Sequence, residues 1–269
     1  MATLQIDGRA LYYEVHGEGE PLLCVHGLTV DTLGWALQLP SFSERHRTVI
    51  FDNRDAGQSS AGTAGYSVAD MAQDALALAD ELGLASFHLL GISMGGAIAQ
   101  EVALAAPNRV RTLTLAVTFP RGGAWAHSLS KVWSARVREM PRERHVDELL
   151  LLNLSEEFFE NEAAVQFARD LSLQNPHPQD PEGFTRQLEA SSHHDASDRL
   201  PTLSVPTHVI GGERDILVPV WKSEELAELI PGARLTVLER APHGLSMERA
   251  EEFNRLVLDF IAEHDRAAV

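Results

Sequence analysis

A single cysteine, Cys24, stands in 269 residues, which excludes an internal disulfide and any cysteine-based metal spacing. It lies in the apolar run Pro21-Leu22-Leu23-Cys24-Val25, the setting of a buried, inert thiol. Positive charge is scarce as well: 22 Lys and Arg face 39 Asp and Glu, for a net charge of −17. A nucleic-acid or anionic-membrane surface needs basic patches, so neither partner is expected, and the long-range field repels anionic substrates. No apolar run approaches the length of a membrane span, and Met1-Ala2-Thr3-Leu4-Gln5-Ile6-Asp7-Gly8 shows neither a basic nor an apolar leader region. The expectation is a cytoplasmic protein. Repeats and low-complexity tracts are missing too.

What the chain does contain is alternation. Short apolar, β-rich runs at 11–15, 22–25, 48–51, 87–90, 112–117, 207–210 and 235–238 are separated by helical patterns. Ser67 reads as an N-cap with Asp70 three residues on, followed by the stripe Val68, Met71, Ala72, Ala75, Ala79, Leu82. Phe253, Leu256, Val257, Phe260 and Ile261 repeat that spacing near the C-terminus. Strands that are apolar on both faces predict an α/β fold, a mostly parallel sheet covered by helices on both sides. The segments around Asp7-Gly8 predict an antiparallel lead-in hairpin. From 120 to 201 no strand is evident, only helical pattern broken by Pro141, Pro176, Pro178 and Pro181. That is too long for a loop. The expected division is a core of 1–119 and 202–269 with a helical cap of 120–201. Trp125, Trp133, the leucines at 149–152, Phe158, Phe159 and Phe167 are more apolar surface than exposed helices carry, so part of it packs on the core or lines a pocket.

The most informative motif is Gly91-Ile92-Ser93-Met94-Gly95, which follows the apolar run at 86–90 and precedes the helical Gly96-Ala97-Ile98-Ala99-Gln100-Glu101-Val102-Ala103. A sharp turn from strand to helix strains the serine backbone, tolerates only hydrogens at the flanking positions and places the hydroxyl near the helix N-terminus. The five-residue pattern is weak by itself; the strand before it and helix after it give it weight. A serine nucleophile needs a base, a group that orients the base, and donors for an oxyanion. Asp215 follows the strand at 207–210, and His243 follows the strand at 235–238 in Ala241-Pro242-His243-Gly244. Ligand sites of open parallel sheets lie at such strand ends. Any one of these residues is unremarkable in a loop; the order Ser, Asp, His at three strand ends makes the case. Glu213 stays open as a rival to Asp215. The oxyanion donors expected are the backbone amides of Met94 and of Leu28, in the turn His26-Gly27-Leu28-Thr29. His26 itself reads as a residue that holds loops together. His193-His194-Asp195 is not expected to bind metal, because adjacent residues do not converge on one ion and no fourth ligand is evident.

His26-Gly27, Phe51-Asp52-Asn53-Arg54-Asp55-Ala56-Gly57-Gln58-Ser59, Gly91-Ile92-Ser93-Met94-Gly95-Gly96, the Asp215 segment and His243 resemble the α/β-hydrolase superfamily nearly end to end. Within it the chain looks most like bacterial carboxylesterases and 3-oxoadipate enol-lactonases, and His194-Asp195-Ala196-Ser197-Asp198-Arg199-Leu200 looks like their cap exit. The resemblance implies an α/β-hydrolase fold, Ser93 as nucleophile, His243 as base, Asp215 as its orienter and no cofactor. One departure is Asp55, where relatives often carry glycine or histidine. Epoxide hydrolases and haloalkane dehalogenases use aspartate at the elbow, unlike Ser93. Ring-cleavage carbon–carbon hydrolases usually have a glycine-rich turn where this chain has Leu28-Thr29-Val30-Asp31. Cofactor-free perhydrolases share the triad and stay open.

Three functions follow as expectations. The first is hydrolysis of neutral, short-to-medium, fairly apolar carboxylic esters through an acyl-enzyme. The second is enol-lactone hydrolysis, which needs an anchor for an anionic substrate; Arg121, just past the strand at 112–117, is the candidate. The third is a hydrolase-fold protein that binds a ligand without turnover. For the esterase, Trp125 and Trp133 are candidate substrate contacts. The oligomeric state and the substrate's identity stay open.

Overall fold

The computed structural model describes residues 2–62 and 65–266. Eight strands form one sheet: β1 (Ala2–Ile6), β2 (Arg9–His16), β3 (Glu20–Val25), β4 (His46–Phe51), β5 (Phe87–Ile92), β6 (Val110–Ala116), β7 (Thr207–Gly212) and β8 (Arg234–Leu238). Their order is β1-β2-β4-β3-β5-β6-β7-β8, antiparallel at β1/β2 and β2/β4 and parallel elsewhere. Asp7 and Gly8, with φ of 49° and 79°, make the tight turn between β1 and β2. Two successive positive φ values match the twist of a two-residue hairpin, which is why an Asp-Gly pair closes it.

The helices are α1 (Leu39–Ser43), α2 (Val68–Glu81), α3 (Met94–Ala105), α4 (Gly123–Val137), α5 (Arg142–Asn153), α6 (Glu156–Phe159), α7 (Glu162–Gln174), α8 (Pro181–Ser192), α9 (Trp221–Leu229), α10 (Leu245–Glu248) and α11 (Ala250–Arg266). Side chains along a strand alternate faces, and the core divides accordingly. Leu23 and Val25 of β3 join Val49, Leu89, Leu113 and Val209 beneath α2, α3 and α9, in one cluster with Met71, Ile98 and Leu226. Leu22 and Cys24 point the other way, with Ile50, Leu90 and Ile210, onto Phe42 of α1 and Phe253, Val257 and Ile261 of α11. Ser67 caps α2 in a full capping box with Asp70, which satisfies two backbone donors reciprocally. No described helix is long and apolar enough to cross a membrane.

Helices α4–α8 all lie between β6 and β7. The chain enters and leaves this insertion side by side: Arg121 pairs with Asp195 in an antiparallel bridge, Gly122 N–H donates to His194 O at 2.9 Å, and Ala196 N–H donates to Pro120 O at 2.9 Å. Polar seams join the insertion to the rest, among them the following. Arg186 of α8 grips Asp55, Gln187 of α8 reaches Arg54, and the α5–α6 corner meets the His243 loop. At that corner Gly244 N–H donates to Asn153 O at 2.7 Å, and the amide and hydroxyl of Ser155 both donate to the Glu248 carboxylate at 2.6 Å.

Candidate active site

Ser93 joins β5 to α3 with φ 55° and ψ −124°, a conformation unfavourable for any residue with a Cβ. Its neighbours explain how the chain tolerates this. A Cβ on Gly91 would lie 2.4 Å from Gly95 O, and one on Gly95 would lie 2.2 Å from Val25 O and 2.6 Å from His26 O. Only glycine lets α3 press this closely against the end of β3. Ser93 N–H donates to Ala116 O at 2.9 Å, and Thr118 Oγ1 donates to Ser93 O at 2.7 Å, so the turn is held from the β6 side.

Two loops bring their side chains to this hydroxyl. Asp215 leaves β7 and is buried; Leu217 and Val218 amides donate to its Oδ1 at 2.9 and 2.8 Å. Its Oδ2 lies 2.7 Å from His243 Nδ1. A carboxylate only accepts, so Nδ1 carries the proton and Nε2 is free to accept. Ser93 Oγ lies 3.0 Å from that Nε2. Glu213 is not part of this chain of bonds: it is exposed, and its carboxylate accepts the Arg240 amide at 2.7 Å.

The turn after β3 faces the serine; a Cβ on Gly27 would stand 3.0 Å from Ser93 Cβ. Of its amides, Gly27 donates to His26 Nδ1 at 2.8 Å, Thr29 to Gln187 Oε1 at 3.5 Å and Val30 to Gly27 O at 3.4 Å. Leu28 N–H is left without a partner among the described residues. Met94 opens α3, where helix geometry leaves N–H groups unpaired. Burial and the nearby His243 push the His26 imidazole down to about 3, so it is a neutral strut. Its ring meets Trp35 edge-on at 4.8 Å, and its carbonyl accepts Asn53 Nδ2 at 3.0 Å. Burial lifts the Asp52 carboxyl to about 6 against the amides of Gln58 and Thr32 that donate to it.

The remaining expected contacts sit on α4 and the segment that leads into it. The Arg121 guanidinium pairs with Glu225 of α9 at 3.0 Å, and its carbonyl accepts Lys222 Nζ at 3.0 Å. Trp125 is 63% exposed. Trp133 packs with Val137, Phe184 and Leu188, in a cluster that also touches Leu28. The His193 ring packs against that of His127, tilted by 53° with centroids 4.3 Å apart, while His194 is buried between Gln100 and Glu101. No three His, Cys, Asp or Glu side chains among the described residues are grouped to hold a metal.

Two residues escaped the sequence reading. Asp55, with φ 68°, accepts Arg186 through both carboxylate oxygens, the Tyr66 hydroxyl at 2.8 Å and the Gly62 amide at 2.8 Å. Gln187 is fully buried where the insertion meets the turn after β3 and the loop after β4. The unusual residue at position 55 was the only signal for the first. Nothing local marks the second.

Residues 20–250 match the α/β hydrolase fold family. The chain is 29% identical over 265 residues to the proposed carbamate hydrolase RutD of Azorhizobium caulinodans, covering 95% of this chain and 96% of that one. The crystal structure of the enol-lactonase of Burkholderia xenovorans superimposes with a TM-score of 0.89 at 27% identity, over 97% of this chain and all of that one. A thermophilic esterase of Thermogutta terrifontis superimposes with a TM-score of 0.85 at 29% identity, over 97% of each chain. With the family match spanning most of its length, the chain belongs to the α/β hydrolase fold family, and its activity is hydrolysis.

Proposed function

We propose that the protein is a serine hydrolase that cleaves carboxylic esters of neutral, short-to-medium, fairly apolar substrates through an acyl-enzyme. The observation that carries this reading is the continuous line of hydrogen bonds from Ser93 Oγ through His243 to Asp215, at 3.0 and 2.7 Å. Ser93 Oγ attacks the ester carbonyl carbon while His243 Nε2 takes its proton. The carbonyl oxygen gains the negative charge and is met by the Leu28 and Met94 amides, in the manner of preorganised oxyanion donors. His243 then hands the proton to the leaving alcohol oxygen as the carbon–oxygen bond breaks. Water repeats the sequence on the acyl-Ser93 ester and releases the acid. Asp215 holds the imidazole tautomer and offsets its transient charge. Residues 120–201 act as a cap over this centre, with Trp133 and its apolar neighbours beside Leu28 serving the substrate's carbon chain.

Neutral substrates are favoured because Arg121, the anchor an anionic lactone would use, is already paired with Glu225. The similarity to an enol-lactonase and to RutD keeps a lactone and a carbamate as the second reading, with the same attack on a carbonyl carbon. Fluorophosphonate labelling of intact protein, with Ser93→Ala as control, tests the nucleophile. p-Nitrophenyl esters of increasing chain length, run beside lactones and carbamates, test the substrate class. Neutral butyrate-to-octanoate esters are expected to turn over best. Absence of labelling at Ser93, or faster turnover of a carboxylate-bearing lactone than of every ester, overturns the proposal.

A further inference from the structure

Gln187 sits on α8, outside the sheet, yet its side chain is fully buried and reaches toward the core. Its Nε2 donates to Arg54 O at 2.7 Å, on the loop after β4. Its Oε1 accepts the Gln179 side-chain amide at 2.8 Å and the Thr29 backbone amide at 3.5 Å. Thr29 has φ 70°, a left-handed conformation that a β-branched residue holds only when its surroundings enforce it. A relaxed Thr29 rotates the two peptides beside it, and the first of these adjoins the Gly27–Leu28 peptide that carries the Leu28 amide. Oxyanion donors act by being fixed before charge develops, so a small rotation there is costly to turnover and nearly silent in ground-state binding.

We propose that Gln187 is a positioning residue for the oxyanion turn: it accepts the Thr29 amide and thereby keeps the Leu28 amide aimed at the developing oxyanion. This rests on the roles assigned above to Ser93, His243 and Asp215. The helical insertion then supplies part of the catalytic geometry as well as the substrate's surroundings. Arg54 O and Thr29 N–H, on the loop after β4 and the turn after β3, are joined by one side chain from α8.

The test compares Gln187→Met, which keeps volume and removes both polar atoms, with wild type and with Asp55→Asn. The second variant loosens α8 one residue away at Arg186 and leaves the Thr29 contact alone. Kinetics are read on p-nitrophenyl butyrate, and phenylboronic acid, which forms a tetrahedral adduct on the serine, reports the oxyanion site. Gln187→Met is expected to lose about tenfold in kcat with KM within about threefold, and about tenfold in boronate affinity, the scale of a weakened oxyanion donor. Asp55→Asn is expected to keep kcat within about threefold, since it touches no reacting group. Where Gln187→Met does not fold, Gln187→Asn, one methylene shorter, carries the same expectation. Normal kcat in the folded Gln187 variant, or equal losses of kcat in the Gln187 and Asp55 variants, overturns the inference. Wild type that neither hydrolyses the ester nor takes up fluorophosphonate overturns the functional reading instead.

Discussion

Asp55→Asn is the substitution that most directly probes how α8 is held. The Asp55 side chain is completely buried and accepts four hydrogen bonds: two from Arg186, at 3.0 and 2.5 Å, one from Tyr66 and one from Gly62. Asparagine keeps the left-handed backbone at little cost, so the strain at φ 68° is unchanged and only the side-chain chemistry differs. Its single oxygen still serves the Gly62 amide. The NH2 group, placed opposite Arg186, turns a charge-assisted pair into facing donors. Breaking a buried pair by removing one partner costs roughly 3–5 kcal/mol, because the other charge stays buried. The Arg186 side chain is 22% exposed, so water recovers part of that, and a net loss of about 2–3 kcal/mol is expected. For a chain of this length that is a fall in Tm of about 5 °C. Urea unfolding followed by circular dichroism measures the loss, and a double-mutant cycle with Arg186→Met isolates the pair, where coupling of about 2 kcal/mol is expected. A single-variant loss below about 0.5 kcal/mol, or additive variants, would refute the view that this pair anchors the insertion.

Three further outcomes follow from the geometry. Asp215→Asn should lower kcat by about 10⁴-fold, since it leaves His243 in the wrong tautomer, while Glu213→Gln should stay within about threefold; the opposite ranking on p-nitrophenyl butyrate transfers the acid role to Glu213. Arg121→Ala should leave neutral-ester kinetics within about twofold, because it removes a partly exposed pair with Glu225; collapse of anionic-lactone turnover in this variant would promote the lactonase reading. His208 in β7 is buried, and burial, aided by Arg234, pushes its imidazole down to about 4. The folded state therefore holds it neutral while the unfolded chain takes up a proton near an ordinary histidine value of about 6.5. That stability is complete above about pH 6.5 and is lost as pH falls toward 4, amounting to about 2–3 kcal/mol. His208→Gln should flatten the fall in the urea midpoint between pH 7 and 4.5, and an unchanged slope would count against it.

Local physics made the elbow legible: Gly91 and Gly95 are required by contacts within a few residues of Ser93 or by the strand beneath it. The same holds for the capping box at Ser67 and the hairpin at Asp7-Gly8, which close over three or four residues. The choice between Asp215 and Glu213 was not legible, because both leave β7 in one turn. The three-dimensional course of the His243 loop separates them, drawing Asp215 to Nδ1 and Glu213 to the Arg240 amide. Arg121 carried its charge in the sequence but not its direction, which Glu225 on a distant helix decides. Asp55 and Arg186 are 131 residues apart, and no periodicity links them. Gln187 had no signal at all, since a glutamine on an amphipathic helix ordinarily faces water.

The antiparallel bridge between Arg121 and Asp195 brings the two ends of the insertion within one hydrogen-bonded step of each other. Topologically, the inserted helices are a cassette whose splice points already touch, so excising or exchanging them leaves the ends of β6 and β7 where they were. Such junctions accept inserts of very different length, because the closure penalty grows only slowly with the number of residues enclosed. A lineage with this layout can exchange its inserted helices without re-inventing the sheet. The same geometry restricts which donor cassettes work at once: a replacement must bring its own partners for Asp55, for the Thr29 amide and for Glu248. Chimaeras that carry those three contacts across should fold and react from the start, whereas those chosen on helix boundaries alone should need compensating changes at the seams.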